Sequence, residues 1–384
     1  MDLTRPIYMD HNATTPMDPR VFEAMQPYFM RVFGNAASRA HMYGWEAEGA
    51  VDVARQQVAA IINARPDAIV WTSGATESNN LAVKGVAEAH GHRGRHIITQ
   101  VTEHKAVLDP CKKMEKYGFE ITRLGVDQFG RIDLDQLRRA IRGDTLLVSI
   151  MAANNEIGTL QEIRAIGEIC KSRGVLFHTD ATQAVAKIPI DVEADHIDML
   201  SMSGHKMYGP KGCGCLFVRN KPAKVILTAQ MDGGGHERGY RSGTLNVPSI
   251  VGVGKACEIA QAEMAGEIAR VTILRDRLQQ GIMKRVDGVR VNGFERSRLP
   301  HMTNLSFEGV DHDRLLGAVS FAAVSSGSAC TSASLEPSYV LSALGLNDEL
   351  AFSSIRFSLG KSNTVEQVDY VIDNMVEAIR SLRA

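Results

Sequence analysis

The 384-residue chain has no excess of charge of either sign, with 43 Lys and Arg against 44 Asp and Glu. Nucleic acids and anionic membrane surfaces demand a basic field, so neither is expected as a direct partner. Long hydrophobic runs are also missing. The longest nearly apolar stretch is LLVSIMAA at 146–153, far short of the ~18 residues of a membrane span. The opening MDLTRPIYMDHNATTP has neither an apolar core nor a small-residue cleavage site, so no signal peptide is expected. Cysteine is sparse: Cys111, Cys170, Cys213, Cys215, Cys257 and Cys330. Their scatter excludes a disulfide framework and points to free thiols in a reducing cytoplasm. No P-loop occurs, and GVGKAC (252–257) fails the dinucleotide fingerprint, having no third glycine and no preceding strand. Repeats and low-complexity tracts are absent as well.

What is present is an alternation of short apolar runs and longer amphipathic segments. DAIVWTS (67–73), RHIITQVT (95–102), TLLVSIMA (145–152), GVLFHTD (174–180) and IDMLSMS (197–203) read as buried strands. Helical stretches such as ESNNLAVKGVAEAH (77–90) and DLDQLRRAIR (133–142) lie between them. Near-continuous apolar strands alternating with helices predict an α/β fold with a mainly parallel sheet covered on both faces. After about residue 220 the rhythm changes. A long helical region runs from roughly 250 to 286, followed by TNLSFEG (303–309), a helical DHDRLLGAVS (311–320) and SSIRFSLG (353–360). In the closing segment, Thr364 and Gln367 are spaced as a capping box. Val365, Val368, Val371, Ile372, Met375, Ile379 and Leu382 then form one apolar stripe. This part predicts a second, smaller α+β domain.

Ligands of open α/β sheets bind at the carboxyl ends of the strands, so the residues after each strand carry the functional information. GHKMYGPKG follows IDMLSMS and centres on Lys206, with His205 beside it. A lone lysine is usually a solvated surface group, yet one at a buried strand end can form a Schiff base. GVLFHTD ends in Asp180, with Gln183 three residues on. That carboxylate is either a helix cap or a partner for a pyridinium nitrogen. WTSGATESNN joins a strand to a helix through Ser73, Gly74, Ala75 and Thr76, where free N–H groups and a hydroxyl suit a phosphate. His104 follows another strand, and Asn154, Asn155 and Glu156 a further one. Each of these sites is ambiguous singly. As a set they supply a phosphate cradle, a pyridinium partner, a Schiff-base lysine and a ring-stacking histidine, which is what pyridoxal phosphate needs.

Cys330 sits in SSGSACTSASLEPS (325–338), where nothing is bulky enough to bury it. Alone, the stretch reads as a connection with an incidental thiol. Beside a cofactor constellation it reads as a loop whose small residues let the thiol move. Cys213 and Cys215, two residues apart on an apparent strand in KGCGCLFV, read as packing groups, since zinc would need a second ligand pair. Cys111, Cys170 and Cys257 fall on helical stretches as ordinary thiols.

The chain resembles the NifS/IscS-type cysteine desulfurases, in the class V aminotransferase group of pyridoxal-phosphate fold-type I. The resemblance spans nearly the whole chain, through MDHNATTP, WTSGATESNN, TEHKAV, NNEIG, HTDATQAV, SGHKMYGPKG, GGGHERGYRSGT, SSGSACTSASLEPSYVL and SSIRFSLG in order. SGSACTS is similar to the long-loop subgroup that includes NifS and IscS, as opposed to SufS-like members. The resemblance implies a large cofactor domain at 16–262 with a seven-stranded sheet. It also implies a small domain of 1–15 with 263–384, which carries the Cys loop at about 323–337.

Residue roles follow from the same resemblance. Lys206 would hold the cofactor covalently, Asp180 would keep its ring nitrogen protonated, and Gln183 would bond its phenolic oxygen. His104 would stack on the ring and move protons. Ala75, Thr76, Ser203 and His205 would hold the phosphate, and Thr244 would reach the phosphate of a neighbouring subunit, making a homodimer. Asn155 and Arg356 would take the substrate carboxylate, with Asn35 in the matching active-site segment. Cys330 would accept sulfur from L-cysteine as a persulfide and release L-alanine. Two departures stand out: FGNAAS replaces the family's FGNPSS, and the sequence stops at Ala384, where IscS-like members continue into a tail that helps bind the scaffold protein. A class V aminotransferase would have no need of a mobile thiol loop, whereas selenocysteine lyase chemistry is nearly the same. An iron–sulfur scaffold needs three or four converging cysteines. Only Cys330 is placed for that, so a cluster would have to be shared with a partner protein. The sulfur acceptor is open between general iron–sulfur assembly, nitrogenase maturation and tRNA thiolation.

Overall fold

The computed structural model describes residues 4–326 and 336–384. Its main sheet has seven strands: β1 (Ile69–Thr72), β2 (His96–Gln100), β3 (Glu120–Leu124), β4 (Thr145–Ser149), β5 (Leu176–Asp180), β6 (Met199–Ser203) and β7 (Gly214–Val218). In space they lie in the order β1-β7-β6-β5-β4-β2-β3. Six run in one direction and β7 opposes them. This is the fold-type I sheet implied by the resemblance.

The strands read as continuous apolar runs because both faces are covered. Val70, Ile97, Leu147, Met199 and Leu216 meet the helices Ala75–His90 and Lys105–Glu115 on one side. Their chain neighbours Trp71, Ile98, Val148, Leu200 and Phe217 point the other way. There they pack with the helices Met42–Ile61 and Ile163–Arg173 and the first turns of Val247–Met283. Strand β3 differs. It is the sheet's edge, its first four residues are exposed or half-buried, and EITRL alternates accordingly.

A second, four-stranded antiparallel sheet is ordered Ser325–Ser326, Ser354–Ser358, Met302–Phe307, Val289–Asn292. Leu305, Phe307, Ile355 and Phe357 pack beneath the helix Val365–Arg383 and the last turns of Val247–Met283. That long helix therefore contributes Ile250 and Val253 to the large core and Leu274, Leu278 and Ile282 to the small one. The Thr364–Gln367 capping box is present. Val365 departs from the expected stripe: it is the first helical residue, outside the packed face, and is 43% exposed. The strand pair Ile7–Tyr8 with Ala322–Ala323 and a bridge from Asp10 to Ser358 hold the N-terminal segment against the small sheet. Thr15 N then bonds to His205 O, which carries residues 10–15 across the edge of the large sheet. Among the described residues, no helix is long and apolar enough to cross a membrane.

Candidate active site

Because six strands are parallel, their carboxyl ends share one edge, and a cavity of about 600 Å³ opens there. The turn after β1 supplies Ser73, Gly74, Ala75 and Thr76 to its wall. Gly74 adopts φ 147°, a region that favours glycine. It is also the N-cap of the helix Ala75–His90 and offers no capping side chain, so the first-turn N–H groups of Ala75 and Thr76 are left to a ligand. Gly214 at the start of β7 lets the neighbouring strand come close, since a Cβ there would lie 2.8 Å from the Gly74 Cα. Glu77 steadies the turn by accepting from Ser73 N at 2.7 Å while pairing with Arg241 at 2.8 Å.

Asp180 closes β5 at the floor of the cavity. Its carboxylate accepts from Asn79 Nδ2 at 2.7 Å and Thr182 N at 3.0 Å, so its orientation is fixed. Lys206 follows β6, and its Nζ donates to the carbonyls of Asn12 at 2.5 Å and Ala13 at 2.8 Å. Gln183 Nε2 donates to the same Asn12 carbonyl at 2.9 Å. His104 caps the helix Lys105–Glu115, its Nδ1 accepting from Ala106 N at 3.1 Å, which leaves the hydrogen on Nε2. Burial lowers its pKa against the pull of Asp180. His205 is pushed down to about 4 by burial and by Lys206 and Lys211, so it is neutral at pH 7. Ser203, Asn155 and Arg356 complete the predicted residues that line the cavity.

Arg356 comes from the small sheet. Nη1 donates to Asn155 O at 3.0 Å, and Nη2 to Asp10 Oδ1 at 2.6 Å and Ser325 Oγ at 2.9 Å. Nε is buried and has no partner among the described residues. A small carboxylate is the natural acceptor for that donor.

Residues 7–371 match the aminotransferase class-V family. The chain belongs to the class-V aminotransferase family. A curated relative, the cysteine desulfurase IscS of Anaeromyxobacter sp. (strain K), is 57% identical over 378 residues, covering 98% of this chain and 93% of that protein. Among solved structures, a NifS-like protein superposes with a TM-score of 0.91 at 38% identity, covering 98% of this chain and all of that one. SspA in complex with cysteine superposes with a TM-score of 0.82 at 38% identity, covering 92% of this chain and 98% of that one.

Enzymes of the class-V family depend on pyridoxal phosphate, and the pocket of this member fits that group. The uncapped helix start suits the phosphate, the oriented Asp180 carboxylate suits a protonated ring nitrogen, and Lys206 offers the amine. Two predicted residues are elsewhere. Asn35 and Thr244 are exposed and do not line the cavity of a single chain. Cys330 lies outside the described residues. The other five cysteines are buried; Cys213, Cys215 and Cys257 share the large core, where burial raises their thiol pKa values.

Sequence reasoning assigned no role to Asn79, Asp10 or Asn12. Asn79 had a signal: it shares the buried face of its helix with Ala82, Val83 and Val86, where periodicity calls for an apolar side chain. Asp10 and Asn12 had none beyond their motif, because their partners are hundreds of residues away in the chain.

Proposed function

We propose that this enzyme is a cysteine desulfurase, which takes sulfur from L-cysteine as a persulfide on Cys330 and leaves L-alanine. The observation that carries the reading is a single pocket holding Lys206, the fixed Asp180 and Arg356, with the Arg356 Nε buried and unspent. The names of the curated relatives support it.

Arg356 receives the substrate carboxylate on Nε while its Nη atoms stay on Asn155, Asp10 and Ser325. The Asn155 side chain joins it. Ala75, Thr76, Ser203 and His205 would hold the phosphate, Asp180 would keep a proton on the ring nitrogen, and Gln183 would bond the phenolic oxygen. Pyridoxal phosphate, when bound, supplies the electron sink for the pair left at the substrate α-carbon. Lys206 takes the α-proton on its amine, and the carbonyls of Asn12 and Ala13 are in place to receive the resulting ammonium. His104, neutral and lining the cavity, would help move protons. The Cys330 thiolate attacks the substrate sulfur. A sulfur–sulfur bond forms, the carbon–sulfur bond breaks with its electron pair staying on the β-carbon, and protonation of that carbon together with return of a proton to the α-carbon from Lys206 gives alanine.

The enzyme works as a homodimer in the cytoplasm, with Thr244 serving the neighbouring subunit's phosphate site. Exposed Phe29, Met30, Phe33, Met42 and Trp45, all within ten residues of Asn35 along the chain, support that contact. Its persulfide passes to an iron–sulfur scaffold or another sulfur acceptor. The test is sulfide and alanine release from L-cysteine with a thiol reductant, alongside Cys330→Ser. Equal amounts of both products from wild type, with sulfide lost and the yellow colour retained in the variant, are expected. Wild-type protein that binds cofactor yet releases no sulfide would refute the reaction.

A further inference from the structure

We infer that Asn12, oriented by His301, is a positioning residue that sets the spacing between the Lys206 amine and the Arg356 guanidinium. The inference deepens the desulfurase reading and rests on the roles it gives those two groups.

Asn12 is fully buried, and each of its polar atoms is bonded. Its N–H donates to Ser358 Oγ at 2.9 Å, and its carbonyl takes Lys206 Nζ and Gln183 Nε2. Its Nδ2 donates to Asn155 O at 3.0 Å, the same carbonyl that receives Arg356 Nη1. One residue thus touches the amine through its main chain and, through its side chain, the Asn155 carbonyl that accepts from the Arg356 guanidinium. A core asparagine could be satisfied without touching either group.

The amide can face only one way. Its nitrogen must meet the Asn155 carbonyl, so Oδ1 meets His301 Nε2 at 2.7 Å, and that ring nitrogen must carry the hydrogen. His301 comes from the residue before the small-sheet strand Met302–Phe307, and its own carbonyl accepts from Leu359 N at 2.8 Å. Complete burial lowers its pKa well below the usual histidine range, and Lys187, His11, Arg275 and Arg356 nearby add to this. It stays neutral, a fixed N–H donor. The uncharged, oriented groups of His301, Asn12 and the Asn155 carbonyl therefore link both sheets and end on the Arg356 guanidinium.

Three variants purified with bound cofactor test this: Asn12→Ala, His301→Leu and His301→Gln, the last keeping an N–H donor. L-Alanine affinity, read by absorbance titration, reports on Arg356 and Asn155. The pH midpoint of the cofactor absorbance reports on the surroundings of Lys206. Asn12→Ala and His301→Leu are expected to weaken alanine binding about tenfold and to move the midpoint, as the loss of one or two oriented hydrogen bonds implies. His301→Gln is expected to keep both near wild type. Alanine affinity and midpoint within about twofold of wild type and unshifted, with only the melting temperature lowered, would reduce both residues to packing and overturn the inference. If Asn12→Ala does not fold, the contrast between the two His301 variants decides. Neither readout needs sulfide release, so a wild type that binds alanine but makes no sulfide would sink the desulfurase reading while this comparison still gives its own answer.

Discussion

Arg356→Lys keeps a positive charge and removes the planar fork. In the wild type the two Nη atoms are engaged by Asn155, Asp10 and Ser325, and Nε, without a partner among the described residues, is the donor that the proposed function gives to a substrate carboxylate. A lysine has one nitrogen for all of these acceptors, and Asp10, 2.6 Å from Nη2 in the wild type, competes for it. The substrate then loses one charge-assisted hydrogen bond, worth about 1.5–3 kcal/mol. That corresponds to a fall of about 10- to 150-fold in kcat/KM. The carboxylate is bonded alike before and during the reaction, so the loss should appear in KM with kcat little changed. The assay is alanine formation against cysteine concentration, run in parallel with L-cysteine methyl ester, which has no carboxylate to lose. Wild type and variant should treat the ester alike. A KM for cysteine within about twofold of wild type, or an equal loss with the ester, would refute the assignment of Nε to the carboxylate.

Two further outcomes are expected. Glu237→Ala strands the buried Arg55, which Glu237 holds by paired bonds at 2.8 and 3.0 Å while also accepting from Trp71 N. Breaking such a pair costs about 3–5 kcal/mol, and for a chain of 384 residues that lowers Tm by about 4–6 °C in a thermal melt; an unchanged Tm would count against a buried pair. Glu156, bonded to Ser338 Oγ, has its pKa raised to about 7 by burial, against the opposing effects of Ser338 and Arg356. The folded protein binds that proton more tightly than the unfolded chain, so this contribution is full below about pH 4.5 and is lost as pH rises through about 7. Denaturant titrations should show the stability of wild type relative to Glu156→Gln declining by up to about 3 kcal/mol from pH 5 to pH 8, and a pH-independent difference would refute the shift.

The sheet was readable from the chain wherever both faces of a strand are covered. Val70 and Trp71, or Ile97 and Ile98, face opposite helical layers, so each strand became an unbroken apolar run. The edge strand Glu120–Leu124 and the small-sheet strand Val289–Asn292 gave no such run, because each keeps exposed or half-buried positions. Helix ends were readable where the chemistry is local, as at Thr364 and Gln367. Exposure was not: Val365 fits the stripe by spacing yet lies outside the packed face, because it is the first residue of the helix.

The reactive side chains could be named from sequence because each stands at a strand end: Thr76, His104, Asn155, Asp180 and Lys206. The sequence by itself determined the layered parallel sheet and the chemical inventory of its edge, since both follow from periodicities of two and 3.6 and from what must come next in the chain. Only the tertiary structure decided what holds that inventory in register. Asn79 reaches Asp180 across 101 positions, Asn12 reaches His301 across 289, and Arg356 reaches Asp10 across 346. Hydrogen bonds act over about 3 Å of space regardless of separation along the chain, so no local pattern announces them before the two sheets meet.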